Sequence, residues 1–217
     1  MARSFRPGRP FYGVVSLRVL DLSPVELRVL GCLIEKQRTT PDVYPLSLNA
    51  LRSACNQSTN RDPVVDYDEA TIRSALDELS RRGWSRLASG PGSRAAKFRH
   101  LLPEALGVSD GEMSLLAVLM LRGPQTPGEL KQRTDRLYGF GGLAGVEEVL
   151  QGLIGRELVA RLPRGPGQKE ERYTQLLGGD VVDAEPGPAA SSPSGLEERV
   201  SRLEEAVRAL EERLGAS

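Results

Sequence analysis

The stretch Leu22-Ser-Pro-Val-Glu-Leu27 has a close counterpart later in the chain, Val108-Ser-Asp-Gly-Glu-Met113. Each has an apolar residue, a serine, a glutamate three positions after the serine, and a second apolar residue. A serine and a glutamate at this spacing form a capping box, and the flanking apolar residues form a hydrophobic staple. The two stretches therefore predict helices that start at Ser23 and Ser109, and their similarity indicates an internal repeat.

A second and a third helix are predicted in both copies of the repeat. The second helix begins near Ser47 in the first copy and at Thr126 in the second copy, where Pro127 takes the first helical position. The third helix shows apolar residues at helical spacing in both copies. In the first copy its predicted N-cap is Asp66, with Glu69 at the third helical position.

A β-hairpin is predicted at the end of each copy. Two strand-like runs flank a Gly-Pro-Gly turn at residues 90–92 and again at residues 165–167, which is typical of a hairpin. Three helices followed by a hairpin are the elements of a winged helix-turn-helix. The predicted fold class is therefore mainly α with small β wings (α+β), with two tandem winged helix-turn-helix domains and a C-terminal heptad helix.

The C-terminal segment has its own composition and period. Residues 178–194 are rich in Gly, Pro, Ala and Ser, which is typical of a flexible linker. Beyond them, about three heptads have valine or leucine at a and leucine at d, which favours a parallel dimer. Because so short a helix is marginal alone, we expect a homodimer; docking on the rest of the chain is the alternative. The predicted dimerisation residues are Leu196, Val200, Leu203, Val207, Leu210 and Leu214.

The charges are distributed unevenly along the 217 residues, although 29 basic side chains balance 29 acidic ones. The predicted organisation is a basic N-terminal extension (1–21), a first winged-helix domain (22–103), a second winged-helix domain (104–177), a flexible linker (178–194) and a coiled-coil helix (195–215). The net charge is +3 in the extension, +3 in the first domain, −1 in the second and −5 beyond it. The basic N-terminal part and the acidic C-terminal part influence solubility and the choice of binding partners, and they do not determine the fold.

The composition argues against several classes of protein. No apolar run approaches the ~20 residues of a membrane-spanning helix, and Arg18 interrupts the apolar run near the N-terminus, so we expect no signal peptide. Cys32 and Cys55 lie in apolar helical patterns and are predicted to be reduced core residues of a cytoplasmic protein. With one histidine, His100, and no recognisable catalytic motif, we expect neither an enzyme nor a metal or other cofactor.

Several longer motifs resemble the YceH-like family of uncharacterised bacterial proteins. They include Leu33-Ile-Glu-Lys-Gln37, Tyr44-Pro-Leu-Ser-Leu-Asn49, Thr59-Asn-Arg-Asp-Pro-Val64 and Leu121-Arg-Gly-Pro-Gln-Thr-Pro-Gly-Glu-Leu130. The resemblance covers about residues 20–177. It implies a tandem winged-helix fold and adds little about activity, because the biochemical role of such proteins is not established.

Candidate nucleic-acid contacts lie in the first predicted domain. Alternation along the second wing strand puts Lys97 and Arg99 on one face and Phe98 on the other. A basic wing suits phosphate or minor-groove contact, but the same charges also protect a hairpin edge from pairing. The acidic start of the third helix, residues 66–69, repels phosphates and is better explained by capping. The candidate nucleic-acid-binding residues are Arg94, Lys97, Arg99, Arg73, Arg61 and Asn60.

Two of these candidates, Asn60 and Arg61, lie in a polar turn that has two interpretations. They form either a recognition surface or a set of side chains that bond the local backbone.

The leading expectation for the whole chain is a non-enzymatic protein that binds nucleic acid through the basic N-terminal arm and the first wing, in a regulatory or architectural role. The alternative is a protein-interaction scaffold that uses the winged helices and the coiled coil without binding DNA.

Overall fold

The computed structural model describes residues 21–89, 95–164 and 170–178. They form a mainly α-helical fold with two small antiparallel sheets. The helices are α1 (Pro24–Thr39), α2 (Leu48–Cys55), α3 (Glu69–Arg81), α4 (Leu102–Leu106), α5 (Asp110–Arg122), α6 (Pro127–Thr134) and α7 (Leu143–Gly155). The strands are β1 (Leu46–Ser47), β2 (Ser85–Leu87), β3 (Lys97–His100), β4 (Val159–Leu162) and β5 (Arg172–Gln175). A 3-10 turn, Pro41–Val43, follows α1.

The starts of three helices confirm the caps predicted from the sequence. In α1 the Ser23 amide donates to Glu26 Oε2 at 2.8 Å, and in α5 the Ser109 amide donates to Glu112 Oε2 at 2.7 Å. In both helices the serine hydroxyl accepts the reciprocal bond, and Thr126 forms the same capping box at the start of α6. Each capping box provides hydrogen-bond acceptors for two backbone amides, one of which lies in the first turn and has no acceptor within the helix.

Helix α3 begins later than predicted. Its N-cap is Asp68, whose Oδ1 accepts a hydrogen bond from a first-turn amide at 2.7 Å. Glu69 is therefore the first helical residue, and the prediction of Asp66 as the cap is wrong. The cause is Asn56, whose side chain accepts from the Tyr67 amide at 2.9 Å and donates to the Tyr67 carbonyl at 2.8 Å. These two bonds hold the chain outside the helix up to this point.

Each copy of the repeat ends in an antiparallel hairpin. In the first copy β3 lies between β1 and β2, with Ser85 opposite His100. In the second copy β4 pairs with β5, and an isolated bridge between Gln125 and Tyr173 adds a third extended segment. Both copies therefore have a helix, an extended segment, two further helices and a hairpin in the same order.

The two copies share one hydrophobic core through α1 and α5. Most residues in the middle of both helices are buried, and the buried apolar residues of the two copies form a single cluster. Gly31 lies at the contact between these helices. A Cβ built on Gly31 would lie 2.9 Å from Leu121 Cγ and 3.3 Å from Met120 Cβ, so the missing side chain of Gly31 permits the close approach of α1 and α5.

Replacing Gly31 with leucine is expected to lower the free energy of unfolding by about 1–3 kcal/mol, because extra atoms in a packed contact force its neighbours apart. Gly152, in α7, is the matched control because a Cβ built there has nothing within 4 Å. We expect Gly152→Leu to be neutral or stabilising, since leucine is the better helix former. Urea unfolding of both variants measures the difference, and equal effects would contradict the role of Gly31.

Backbone hydrogen bonds also join the two copies. The Leu22 amide donates to the Leu177 carbonyl at 2.9 Å, and the Asp62 amide donates to the Leu121 carbonyl at 2.9 Å. The described residues lie within one compact unit. The boundary predicted after residue 103 falls inside α4, a helix that the sequence did not predict. The remaining domain limits stay predictions.

Several predicted segments lie outside the described residues. They are residues 1–20 of the basic extension, the linker beyond residue 178, and the heptad helix of residues 195–215. The predicted dimerisation residues Leu196, Val200, Leu203, Val207, Leu210 and Leu214 belong to this part of the chain, so dimerisation stays a prediction.

Candidate nucleic-acid interface

The outward face of the first sheet carries three cations. Arg86 on β2 lies directly opposite Arg99 on β3, so the two residues share a face. Lys97 is two residues from Arg99 on the same strand and shares that face as well. The other face points into the core, because Ser85 and His100 are only 2% and 4% exposed. We call Arg86, Lys97 and Arg99 the basic wing face.

The charge of the basic wing face is only partly neutralised. Arg99 Nη2 lies 2.9 Å from Glu104 Oε1 in an exposed ion pair. Within residues 21–89, 95–164 and 170–178, the side chains of Arg86 and Lys97 have no hydrogen bond or ion pair. Like charges directly opposite on neighbouring strands repel, so a bound polyanion would relieve the repulsion between Arg86 and Arg99.

The arginines of the second sheet are neutralised by carboxylates. Arg161 Nη1 on β4 lies 3.2 Å from Glu171 Oε2, and Arg172 Nη1 on β5 lies 3.1 Å from Glu129 Oε2. The two sheets therefore differ in their electrostatics although their topology is similar. This difference agrees with the sequence-based choice of the first wing as the better phosphate-binding candidate.

The register of the first sheet confirms part of the predicted wing and adds one residue. Lys97 and Arg99 share a face and Phe98 packs against the core, as predicted. Arg94 lies outside the described residues. Arg86 was not among the predicted residues, because pairing symmetric about the Gly-Pro-Gly turn would put it opposite Ala96. The connection between the strands is longer than that turn, and only the observed register shows that Arg86 faces Arg99.

Arg73 is exposed on α3, beyond an acidic helix start. Its side chain has no partner among the residues that the structure describes. At the N-terminus of the same helix, the hydrogen bond from the Thr71 amide lowers the pKa of the Asp68 carboxyl. Asp68 therefore stays negatively charged, and Glu69 follows it. Carboxylates at this end repel phosphates, so α3 is a weaker candidate than the basic wing face, and capping explains Asp68.

The assignment of Arg61 to nucleic-acid binding needs correction. The residue is 6% exposed, and its guanidinium donates to Glu35 Oε2 at 2.6 Å and to Glu35 Oε1 at 3.1 Å. It also donates to the carbonyls of Ala54 and Asn60 and to Gln57 Oε1. Arg61 is therefore inaccessible to a phosphate in this structure. Its hydrogen bonds to backbone carbonyls favour the structural interpretation of the turn.

Asn60 is exposed but its side chain is already engaged. Its backbone has a φ of 61°, a left-handed conformation that asparagine tolerates better than most residues. Its Oδ1 accepts a hydrogen bond from Arg122 of the second copy. Asn60 therefore belongs to the contact between the two copies, which sequence reasoning confined to the first predicted domain did not detect.

His100 is a buried, neutral histidine. Its Nε2 lies 2.6 Å from Gln37 Oε1, and its Nδ1 accepts a hydrogen bond from the Leu102 amide at 3.3 Å. With Nδ1 as the acceptor, the proton lies on Nε2 and is donated to Gln37. Burial lowers the pKa of His100 to about 4. The residue thus connects α1, β3 and the start of α4.

The two cysteines are free and fully buried, as the sequence predicted for core residues. The hydrogen bond with Cys32 and burial raise the pKa of the Cys55 thiol, which keeps that thiol protonated.

Over the residues that the structure describes, no group of three or more His, Cys, Asp or Glu residues could hold a metal ion. The described helices are all too short or too polar to cross a membrane.

Comparison with known proteins shows the family. A family model described as a protein of unknown function, DUF480, matches residues 22–168. A UPF0502 protein of Pelobacter propionicus is 50% identical over 88% of this chain and 90% of its own length. One from Opitutus terrae is 46% identical over 97% of this chain and 92% of its own length. The predicted resemblance to an uncharacterised bacterial family is thereby confirmed, and the chain belongs to the DUF480 family of proteins of unknown function.

Proposed function

We propose that this chain is a non-enzymatic, tandem winged-helix protein that binds the phosphate backbone of nucleic acid through the basic wing face. The observation that carries the proposal is the shared outward face of Arg86, Lys97 and Arg99, since lysine and arginine supply most of the affinity for nucleic acid. Phosphate contacts position a protein without reading sequence, which suits a regulatory or architectural role.

Other features support the same proposal. The order of elements in each copy and the β1-β3-β2 order of the first sheet support the winged-helix part of the proposal. The basic N-terminal arm, residues 1–21, would add phosphate contacts, and a homodimer formed by the heptads would double them. Free, buried thiols suit the reducing environment of the cytoplasm.

The test is the fluorescence anisotropy of a labelled DNA duplex measured over a series of salt concentrations. The logarithm of the affinity should fall against the logarithm of the salt concentration with a slope of about −0.9 for each phosphate contacted. In the double variant Arg86→Gln, Lys97→Gln we expect the slope to flatten by about 0.9 for each of the two contacts removed. Neither side chain has a partner among the described residues, so the variant should fold normally.

The matched control is Arg161→Gln in the second sheet, because Glu171 already neutralises Arg161. We expect this variant to keep the slope of the wild-type protein. An unchanged slope in the double variant would show that the basic wing face does not contact phosphates. The absence of any duplex binding at about 50 mM salt, where screening is weak, would contradict nucleic-acid binding altogether.

The second candidate function is a protein-interaction scaffold. Large apolar side chains lie exposed at Val43, Val64 and Leu87, with exposed fractions of 58%, 59% and 56%. Exposed apolar side chains and the acidic start of α3 suit a protein partner better than a polyanion. Failure of the protein to bind the duplex at low salt would favour this second function.

A further inference from the structure

A groove between the two copies of the repeat is lined by three arginines. The groove has a volume of about 360 Å³, within the size range of small-molecule sites. Arg122 comes from α5, Arg133 from α6, and Arg136 from the turn after α6. The first copy contributes Glu35 from α1 and Asn60 from the turn after α2. Neither copy alone could form this groove.

Arg122 is a partly buried cation without a carboxylate partner. Its side chain donates to Asn60 Oδ1, a neutral acceptor, and no ion pair involves it within the described part of the chain. Burial lowers the pKa of Arg122, and the neighbouring cations Arg133 and Arg61 lower it further. The hydrogen bond to Asn60 is exposed, so the guanidinium of Arg122 is open to an anionic ligand.

The remaining charges of the groove leave it with an excess of positive charge. Arg136 is exposed, and its side chain has no partner in the described ranges. Arg133 Nη2 lies 3.5 Å from Glu129 Oε1, and Glu129 also pairs with Arg172 at 3.1 Å. Glu35 favours the charge of Arg122 but offsets the excess only in part, because both its oxygens accept bonds from the cation Arg61.

Part of the remaining lining is apolar, beside the polar side chains of Thr39 and Gln132. Val118 and Leu121 of α5 and Leu137 after α6 border the same groove, so its occupant would have an apolar part beside an anionic part. Guanidinium groups match the geometry of phosphate and carboxylate oxygens. Three arginines around one groove favour the anion with the larger charge, a phosphate.

We propose that this groove binds a small phosphate-bearing molecule, with Arg122, Arg133 and Arg136 around the phosphate and the remainder of the ligand against Val118, Leu121 and Leu137. The site is distinct from the basic wing face and does not depend on nucleic-acid binding. Because both copies line the groove, the ligand would stabilise their association, and the folded protein would gain stability with ligand concentration.

The test uses the full-length protein and isothermal titration calorimetry with three probes: adenosine 5′-monophosphate, inorganic pyrophosphate and adenosine. We expect saturable binding of the two phosphate-bearing probes and none of adenosine. Arg136→Gln should weaken the binding of both about tenfold, as expected for the loss of one charge-assisted hydrogen bond. Since the side chain of Arg136 has no hydrogen bond or ion pair among the described residues, its variant should unfold at the wild-type urea concentration.

Arg86→Gln is the matched control, because it removes an exposed arginine that has no partner in the described ranges and does not line the groove. We expect Arg86→Gln to weaken duplex binding and to leave phosphate binding unchanged, and Arg136→Gln to do the reverse. Failure of both phosphate probes to bind in the millimolar range would overturn the proposal. Equal weakening of phosphate binding by the two variants would also overturn it. If Arg136→Gln weakened only the binding of the duplex, the groove would be assigned to nucleic acid, and the proposal would be overturned as well.

Discussion

Replacing Arg61 with methionine is expected to lower the free energy of unfolding by about 3–5 kcal/mol, the usual cost of breaking a buried ion pair by removing one partner. The side chain of Arg61 is fully buried, and that of Glu35 is 15% exposed. Burial, the largest single influence, would lower the pKa of the Arg61 guanidinium, but the hydrogen bonds to Glu35 and the electrostatic effects of Cys32, Glu35 and Cys55 together outweigh burial and the pKa is raised. The variant leaves the Glu35 carboxylate and the Ala54 carbonyl without this donor.

The control for Arg61→Met is Arg161→Met. Arg161 also forms an arginine–glutamate pair, but its side chain is 57% exposed, and such surface pairs contribute about 0–1 kcal/mol. Urea unfolding of both variants and of Arg61→Met combined with Glu35→Met gives a double-mutant cycle. We expect the second substitution to recover part of the loss, because it removes the carboxylate that has lost its buried partner, although Lys36 still lies 3.6 Å from it in the single variant. A loss below about 1 kcal/mol in Arg61→Met would contradict the buried-pair account.

Acidification from pH 7 to pH 4 is expected to remove about 3 kcal/mol of stability through His100 alone. The folded pKa of about 4 lies below the ordinary value of 6.5. Between these values the unfolded chain takes up a proton that the folded protein does not, so stability is complete above pH 6.5 and falls as the pH drops towards 4. Protonation at Nδ1 would also break the hydrogen bond from the Leu102 amide.

The measurement compares the urea unfolding of the wild-type protein and of His100→Gln at pH 7 and pH 4. Titrating carboxylates affect both proteins, so the difference between the two pH dependences isolates His100. Glu104, Arg99 and Arg38 are the charges that act on this histidine, and both proteins retain them. The chain has one histidine, so its NMR titration gives the pKa directly, and a value near 6.5 would contradict the prediction.

Local signals in the sequence predicted the helix starts well. At Ser23, Ser109 and Thr126, the cap and its glutamate lie within one turn of each other, so each box forms from neighbours in the chain. The same reasoning put the N-cap of α3 at the wrong residue. There the start is decided by Asn56, which lies on the far side of the turn and holds Tyr67 through two hydrogen bonds.

The candidate sites depended on partners that are distant in the chain. The alternation of Lys97 and Arg99 follows from strand geometry alone and was predicted. The position of Arg86 depends on how β2 pairs with β3. The segment between these strands is longer than the predicted Gly-Pro-Gly turn, so the sequence did not give the register. The three arginines of the groove gave no signal in the sequence, because each is indistinguishable there from an ordinary surface cation, and the groove forms only when α1 and α5 pack together.

The sequence by itself determined the repeat, the three main helices and the hairpin of each copy, the capped starts of α1, α5 and α6, and the apolar surroundings of Cys32 and Cys55. Period and capping depend on residues within a few positions of one another. Only the tertiary structure decided that Arg61 is buried against Glu35, that Arg86 faces Arg99, and that the two copies enclose a basic groove. These features depend on strand register and on the packing of α1 against α5 at Gly31, and residues far apart in the chain set both.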